Sequence, residues 1–240
     1  KMDGLGNDFI IFDRRKKNIS LTKNQIIKMS DRNNIGCDQV IIIDNNTNYG
    51  ASLTFYNADG GEASACGNGS RCIAYLLMKE KKLKKISLKT KGGILFADID
   101  KDLIRLNMGP PKFKWNEIPL IKEMDNKNLK IKISSLKGNI IENGFAINVG
   151  NPHIVFFINN INEYDIKKIG PRIENHEYFP QKCNVTIASI INNKHIKVKV
   201  WERGVGLTKA CGTAACATLV SASMLKLTDR SADIEFNEGS

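Results

Sequence analysis

The positions of apolar residues along the chain predict short strands and two buried helices. Runs rich in Ile, Val, Phe and Leu have strand character, and they lie at 9–12, 40–43, 53–56, 154–158, 187–191 and 196–201. Two longer apolar stretches, 71–79 and 214–225, have the three-to-four spacing of helices and too few polar positions to face solvent. Each predicted helix follows a glycine-containing turn that carries a cysteine, Cys66 or Cys211.

The second half of the chain repeats the pattern of the first half. Three pairs of segments match in the same order at an offset of 144 or 145 residues: Gly6-Asn7-Asp8-Phe9 with Gly150-Asn151-Pro152-His153, Cys37-Asp38-Gln39 with Lys182-Cys183-Asn184, and Ala65-Cys66-Gly67-Asn68 with Ala210-Cys211-Gly212-Thr213. Asn57 precedes Cys66 by nine residues, and Glu202 precedes Cys211 by nine residues. Such a repeat predicts two similarly folded halves.

The boundary between the halves is predicted at Met108-Gly109-Pro110-Pro111. Two prolines follow a glycine at the end of a strand-like segment, and this combination is typical of a break between elements. We therefore expect an N-terminal half, 1–109, that carries Cys66 and a C-terminal half, 110–240, that carries Cys211.

Composition and charge narrow the class of protein. The 36 Lys and Arg exceed the 25 Asp and Glu, for a formal net charge of +11, but aromatic residues make up only 7%. Without a stacking surface beside the lysine runs, no nucleic-acid partner is expected. No apolar run approaches the length of a membrane span, and the first residues lack the layout of a signal peptide. The prediction is a soluble cytoplasmic protein with no membrane partner.

The cysteines are the candidate chemistry. Six cysteines without an export signal are expected to be reduced thiols, and their spacing does not suit a zinc site. A helix N-terminus can lower a thiol pKa, so Cys66 and Cys211 are predicted to ionise readily. Two such groups from two related halves suggest inversion of a carbon centre, with a base on one face and an acid on the other. The pair would share one proton, because two facing thiolates repel each other.

Matched polar residues are candidates for binding an amino acid. Amide side chains, which offer donors and acceptors without charge, recur at predicted strand ends and turns: Asn7, Gln39, Asn57, Asn68, Asn151 and Asn184. Glu202 and Arg203 add one charge of each sign, as a zwitterionic ligand requires. The glycines next to the cysteines, Gly67 and Gly212, allow backbone to approach a ligand closely.

Six motifs along nearly the whole chain together resemble the diaminopimelate epimerase family: Met2-Asp3-Gly4-Leu5-Gly6-Asn7-Asp8-Phe9, Asn57-Ala58-Asp59-Gly60, Cys66-Gly67-Asn68-Gly69-Ser70-Arg71-Cys72, Gly150-Asn151-Pro152-His153, Glu202-Arg203-Gly204 and Ala210-Cys211-Gly212-Thr213. The resemblance implies an epimerase that interconverts LL- and meso-2,6-diaminopimelate in lysine and peptidoglycan biosynthesis. It implies neither pyridoxal phosphate nor a metal. The implied fold is α+β, with two similar pseudo-symmetric domains, each a curved, mostly antiparallel sheet around a central buried helix.

The resemblance also assigns roles by position. Cys66 and Cys211 match the two acid–base cysteines, and His153 matches a supporting residue. The positions that match substrate-binding groups are Asn7, Gln39, Asn57, Gly67, Asn68, Asn151, Asn184, Glu202, Arg203, Gly212 and Thr213. Asp3, Leu207 and Ala214 depart from the residues usual in the family. The resemblance further implies a homodimer, and the end at Glu238-Gly239-Ser240 leads us to expect a truncated C-terminus.

Two other interpretations remain open from the sequence. The related proline or hydroxyproline racemases and the phenazine-biosynthesis type of isomerase share the duplicated pattern, although Glu202-Arg203-Gly204 favours the diaminopimelate branch. Alternatively, Cys66 and Cys211 could form a reversible disulfide in a non-catalytic redox sensor.

Overall fold

A computed structural model describes residues 1–4, 6–17, 19–101 and 103–237. The chain divides into two compact units, one of Lys1–Gly109 and one that begins at Pro110. Glu238, Gly239 and Ser240, on which the expected truncation rested, lie outside the described residues. Within the described ranges, no helix is both long and apolar enough to cross a membrane.

The first unit is one mixed sheet with two helices. Its strands follow the order β1-β2-β3-β4-β6-β7-β8, and β5 pairs with β4. The β2–β3 and β4–β6 pairs are parallel and the others are antiparallel. The strands are β1 (Met2–Gly4), β2 (Asn7–Asp13), β3 (Gln39–Asp44), β4 (Ala51–Asn57), β5 (Glu62–Ala63), β6 (Lys85–Thr90), β7 (Gly93–Asp100) and β8 (Leu103–Asn107); the helices are α1 (Lys23–Ser30) and α2 (Gly67–Lys81).

Helix α2 packs its apolar side chains against one face of this sheet. Ile73 and Leu77 of α2 are fully buried in a cluster that includes Phe9, Ile41 and Phe55 from β2, β3 and β4. The opposite face of the same strands is covered by α1, where Ile26 packs with Val40. Because both faces are covered, β3 is a nearly continuous apolar run rather than an alternating one.

The second unit repeats this plan. Its strands follow the order β14-β13-β12-β11-β10-β9, and β15 pairs with β13; the β11–β12 and β13–β15 pairs are parallel. The strands are β9 (Leu129–Ser134), β10 (Ile140–Asn148), β11 (Pro152–Phe157), β12 (Asn184–Asn192), β13 (His195–Glu202), β14 (Gly206–Thr208) and β15 (Asp233–Glu235); the helices are α3 (Ile166–Glu174) and α4 (Gly212–Met224), with a 3-10 turn at Ile161–Glu163.

Helices α3 and α4 cover opposite faces of the second sheet. Ile154 and Phe156 of β11 belong to the cluster that contains α3, whereas Val155 between them belongs to the cluster that contains α4. This alternation is what a strand buried on both faces requires. Small residues on α4, such as Ala214 and Ala217, are fully buried against that face.

The predicted elements are present. Five of the six predicted strands lie within β2, β3, β4, β12 and β13, and the sixth, 154–158, extends one residue past the end of β11. The two predicted helices lie within or overlap α2 and α4. Each sheet is mostly antiparallel and carries a buried helix that begins directly after a cysteine. The sequence pattern did not predict α1 and α3, which are short and amphipathic.

Candidate active site

Cys66 caps the N-terminus of α2. Its backbone is extended, with φ −143° and ψ 112°, and the Gly69 N–H donates to Cys66 Sγ over 3.4 Å. Sulfur at this position receives the partial positive charge of the first helical turn, which stabilises negative charge on it. A Cβ added to Gly69 would lie 2.7 Å from Ile41 Cδ1 and 3.3 Å from Cys66 Sγ. Glycine at this position therefore allows α2 to start close to the sheet.

Gln39 and Asn57 form a polar pair at the ends of adjacent strands. They are direct partners in the β3–β4 register, and Gln39 Nε2 donates to Asn57 Oδ1 over 2.8 Å. Gln39 Oε1 is buried and has no hydrogen-bond partner within the described part of the chain. A buried acceptor without a partner is costly, and a ligand with an N–H donor would satisfy it.

Asn7 is held by a carboxylate that the sequence analysis did not single out. Its Nδ2 donates to Asp38 Oδ2 over 2.8 Å, and Asn68 Nδ2 lies 3.5 Å from Asn7 Oδ1. Asn68 Oδ1 in turn accepts from Arg71 Nη2 over 2.6 Å. These contacts place Asn7 next to the first turn of α2. The signal for Asp38 was its place between Cys37 and Gln39 in the repeat.

Asp38 belongs to an ionic cluster at the start of β2 and β3. Arg32 contacts both Asp8 and Asp38, at 2.8 and 2.7 Å, and Lys1 Nζ lies 2.9 Å from Asp8. Partial burial raises the pKa of Asp8, but hydrogen bonds from Arg32 and Lys1 outweigh it and hold that pKa well below its usual range. The cluster ties together the two strand ends that present Asn7 and Gln39.

Cys211 occupies the corresponding position in the second unit. It is the N-cap residue of α4 with φ −144° and ψ 111°, which reproduces the backbone of Cys66 within a degree. Its sulfur lies 3.3 Å from Thr213 Oγ1. The sulfur is buried, and it also hydrogen bonds with the Glu202 side chain.

The pKa of Cys211 contradicts the expectation of an easily ionised thiol. Burial raises the pKa of the Cys211 thiol well above its ordinary value, the Glu202 carboxylate raises it further, and the hydrogen bond with Thr213 lowers it only in part. Desolvation and a nearby negative charge both disfavour a thiolate, and here they outweigh the helix terminus. Cys211 is therefore a protonated thiol at neutral pH.

His153 links the first residues of β11 to the first turn of α4. Its Nε2 lies 2.8 Å from Asn151 Oδ1 and 3.0 Å from Thr213 Oγ1. Burial lowers the pKa of His153 to about 3, with a contribution from the positive charge of Arg203. The ring is neutral, and its shortest contact, with Asn151 Oδ1, which can only accept, favours the tautomer with the proton on Nε2 over the longer contact with the Asn184 Nδ2 donor at 3.5 Å. The Thr213 hydroxyl can then accept from His153 and donate to Cys211.

Glu202 and Arg203 lie at the end of β13, in the turn that leads to β14. Thr208 Oγ1 donates to Glu202 Oε1 over 2.6 Å. The Arg203 N–H donates to Asn184 Oδ1 over 3.0 Å, and Arg203 Nη1 donates to the Gln181 carbonyl over 2.9 Å. Burial lowers the pKa of Arg203, although a guanidinium stays charged at any physiological pH. The sequence analysis missed Thr208, because its contact depends on the β13–β14 pairing.

Asn184 completes this part of the site. It is almost fully buried, and its Nδ2 donates to the Pro152 carbonyl over 2.9 Å. It therefore joins the start of β11 to the turn that carries Arg203. Among the sequence-predicted residues, the structure brings Asn151, His153, Asn184, Glu202, Arg203, Cys211 and Thr213 into one connected cluster in the second unit.

The three departures from the family pattern have simple environments. Asp3 lies on β1 opposite Asp8, and its carbonyl accepts from Cys72 Sγ over 3.5 Å. Leu207 lies on β14 opposite Trp201 with 42% of its surface exposed. Ala214 is fully buried in the first turn of α4. Across the described ranges, no group of three His, Cys, Asp or Glu side chains is placed to hold a metal ion.

Solved structures define the class of fold. A phenazine biosynthesis protein of the PhzF family from Bacillus anthracis is 14% identical in sequence and superposes with a TM-score of 0.60; the match covers 92% of this chain and 76% of that protein. A probable proline racemase from Agrobacterium radiobacter K84 is 14% identical in sequence and superposes with a TM-score of 0.59; the match covers 85% of this chain and 66% of that protein. The α+β fold of two curled sheets, predicted above, is confirmed.

The sequence comparisons narrow this class to one family. Residues 1–114 and 145–240 match the family described as diaminopimelate epimerase. The diaminopimelate epimerase of Pelagibacter ubique is 54% identical, over 100% of this chain and 88% of that protein. The enzyme of the same name from Caulobacter sp. strain K31 is 40% identical, over 100% of this chain and 86% of that protein. The chain belongs to the diaminopimelate epimerase family, and it is an isomerase of the epimerase type.

Proposed function

We propose that this protein interconverts LL- and meso-2,6-diaminopimelate, with Cys66 and Cys211 as the acid–base pair. One observation carries the proposal: the two cysteines cap corresponding helices of two similar sheets with the same backbone conformation. Two related units, each with one cysteine at the start of its buried helix, supply two corresponding proton-transfer groups, as inversion at a single carbon requires. In the proposed mechanism the two sulfur atoms carry out both proton transfers, so neither transfer is assigned to a cofactor or a metal.

In the proposed reaction, one thiolate removes the proton from the α-carbon and becomes a thiol. The thiol on the opposite face then donates its own proton to the carbanion and becomes a thiolate, so that the pair as a whole neither gains nor loses a proton. The protonated state of the Cys211 thiol suits the donor role in the resting enzyme. When Cys211 gives up its proton, the Thr213 hydroxyl at 3.3 Å stabilises the thiolate.

The polar residues around each cysteine are the proposed substrate contacts. In the first unit, the acceptor Gln39 Oε1 suits a substrate ammonium group. In the second unit, the Arg203 guanidinium suits a carboxylate. The backbone N–H groups at the helix starts suit the carboxylate on the reacting carbon. The full proposed set is Asn7, Gln39, Asn57, Gly67, Asn68, Asn151, Asn184, Glu202, Arg203, Gly212 and Thr213, with His153 in support.

A role in lysine and peptidoglycan precursor synthesis follows from this substrate and agrees with the names of the relatives. A cytoplasmic location and a homodimer are part of the same proposal. Sedimentation of the purified protein tests the homodimer.

The experiment is proton exchange in deuterated water with LL-diaminopimelate, meso-diaminopimelate and proline as substrates. Cys66→Ser and Cys211→Ser should each reduce epimerisation by roughly 100- to 10,000-fold, because each removes one proton-transfer group. Cys72→Ala and Cys216→Ala are the matched controls, since each lies in the same helix as one catalytic cysteine. Both controls should retain activity.

Other outcomes would contradict the proposal. Exchange on proline alone would identify a proline racemase. An unsubstituted protein that does not epimerise diaminopimelate, with serine variants that bind it normally but resist oxidation, would identify a non-catalytic thiol redox sensor. Serine variants that still epimerise the substrate would show that these cysteines are not the acid–base pair.

A further inference from the structure

Glu174, the last residue of α3, is a buried carboxylate outside the residues considered so far. Only 6% of its surface is exposed. Its Oε2 accepts from Trp201 Nε1 over 2.7 Å, and its Oε1 accepts from the Gly204 N–H over 3.0 Å. Lys182 Nζ lies 3.9 Å away. A buried carboxylate is costly to desolvate, and the two directed hydrogen bonds, together with the Lys182 ammonium, stabilise it here.

The two donors to Glu174 flank Glu202 and Arg203 directly. Trp201 precedes the pair and Gly204 follows it, so the two carboxylate oxygens bridge the segment from both ends. Gly204 has φ +74°, a conformation that favours glycine. The Val205 N–H donates to the Glu202 carbonyl over 3.1 Å and closes the turn. We call residues 202–205 the 202–205 turn.

The packing of α3 fixes the carboxylate relative to this turn. Gly170, one turn before Glu174, lies so close to the Trp201 ring that a Cβ there would overlap it. On its other side, the turn is held by Asn184 Oδ1, which accepts from the Arg203 N–H. Glu174 and Asn184 therefore hold the same turn from two elements, α3 and β12, and their partners in the turn lie 30 and 19 residues further along the chain.

We infer that Glu174 is a positioning residue that sets the conformation of the 202–205 turn, and through it the place of Glu202 beside Cys211 and of Arg203 toward the substrate. The Arg203 part rests on the proposed function. The Glu202 part does not, since Glu202 and Cys211 are in contact without a ligand. Glu174 also places a negative charge near Arg203, which favours the charged guanidinium against the effect of burial.

The test compares Glu174→Gln with Glu177→Gln. Both replace a carboxylate by an amide, but Glu177 is exposed and lies three residues further along the chain. A glutamine at 174 presents one acceptor oxygen, so that one of the two donors faces an NH₂ group and loses its partner. The 202–205 turn should relax in the Glu174→Gln variant and keep its conformation in the Glu177→Gln variant.

The first readout is the pH dependence of Cys211 alkylation by a small reagent, followed by peptide mass spectrometry without substrate. Glu202 raises the pKa of Cys211, so displacement of Glu202 should move the alkylation profile of Glu174→Gln to lower pH. Glu202→Gln is the positive control and should move it in the same direction. If Glu174→Gln gives the profile of Glu177→Gln while Glu202→Gln shifts, the inference is wrong. If Glu202→Gln leaves the alkylation profile unchanged, Glu202 does not influence the ionisation of Cys211, and the inference is wrong.

The second readout is steady-state kinetics with diaminopimelate. Glu174→Gln should raise KM about tenfold with a smaller change in kcat, since Arg203 binds substrate in the ground state and in the transition state alike. An unchanged KM would overturn the Arg203 part. If the unsubstituted protein does not turn over diaminopimelate, the proposed function is wrong. The alkylation experiment still tests whether Glu174 positions Glu202 beside Cys211, because it is performed without substrate.

Trp201→Phe provides an independent variant if Glu174→Gln does not fold. It removes one donor to Glu174 and keeps an aromatic ring against Gly170, so it should shift the alkylation profile in the same direction by a smaller amount. Where Glu174→Gln does fold, the shifts of the two single variants should combine less than additively in the double variant, because both act through one contact. Fully additive shifts would overturn the inference.

Discussion

Replacement of Thr213 by valine is the sharpest test of how the second unit tunes its cysteine. Thr213 is almost fully buried in the first turn of α4. Its hydroxyl oxygen lies 3.3 Å from Cys211 Sγ and 3.0 Å from His153 Nε2. Valine has nearly the same shape and lacks the hydroxyl, so the change removes the hydrogen bonds and leaves the packing in place.

The expected loss follows from the charge that the hydroxyl stabilises. A hydrogen bond to an ionised group contributes about 1.5–3 kcal/mol, which corresponds to roughly a 10- to 150-fold decrease in epimerisation rate. The bond with Thr213 lowers the pKa of Cys211. Without it, that pKa rises further, and the alkylation profile of Cys211 should move to higher pH. This direction is opposite to that expected for Glu174→Gln.

Thr218→Val is the matched control on the same helix. Thr218 is fully buried, and its hydroxyl has no hydrogen-bond partner in the portion of the chain that the structure describes. Its loss should leave epimerisation unchanged and hold or raise the melting temperature, because an unsatisfied polar group is removed. Measurement of both variants by proton exchange and thermal melting decides the matter. Equal rates for Thr213→Val and Thr218→Val would refute the role assigned to the Thr213 hydroxyl.

Two further predictions concern stability. Burial lowers the pKa of His153 to about 3, so the unfolded chain binds a proton there more strongly than the folded one. The free energy of unfolding should fall as pH drops from about 6.5 toward 3, by up to roughly 1.4 kcal/mol per pH unit. In urea titrations at several pH values, His153→Gln should flatten this slope. An unchanged slope would contradict the assignment. Gly69→Ala should lower the free energy of unfolding by about 1–3 kcal/mol and reduce epimerisation, because the alanine Cβ would meet Ile41 and Cys66 Sγ. A melting temperature equal to that of the unsubstituted protein would show that α2 can shift without cost.

Local signals in the sequence were enough for most of the elements around the cysteines. Strand and helix periodicity depends on near neighbours in the chain, and the repeat at an offset of 145 residues showed that Cys66 and Cys211 occupy equivalent places. The sequence pattern did not predict helices α1 and α3. Each has only eight or nine residues, so its apolar pattern extends over little more than two turns.

Contacts between distant segments decided the rest. Glu174 reaches Trp201 and Gly204 only because α3 packs on β13, and Asp38 reaches Asn7 only because β2 and β3 pair in parallel. Strand and helix periodicity does not pair these residues with each other, since they lie 27 to 31 residues apart.

The ionisation of Cys211 shows the division most clearly. The helix start that favours a thiolate can be read from Cys-Gly-Thr and the apolar run behind it. The burial of the sulfur and its approach to Glu202 depend on how β13, β14 and α4 pack together. Desolvation and charge repulsion are set by the surroundings in space rather than by neighbours in the chain, and for this thiol they are the larger effects.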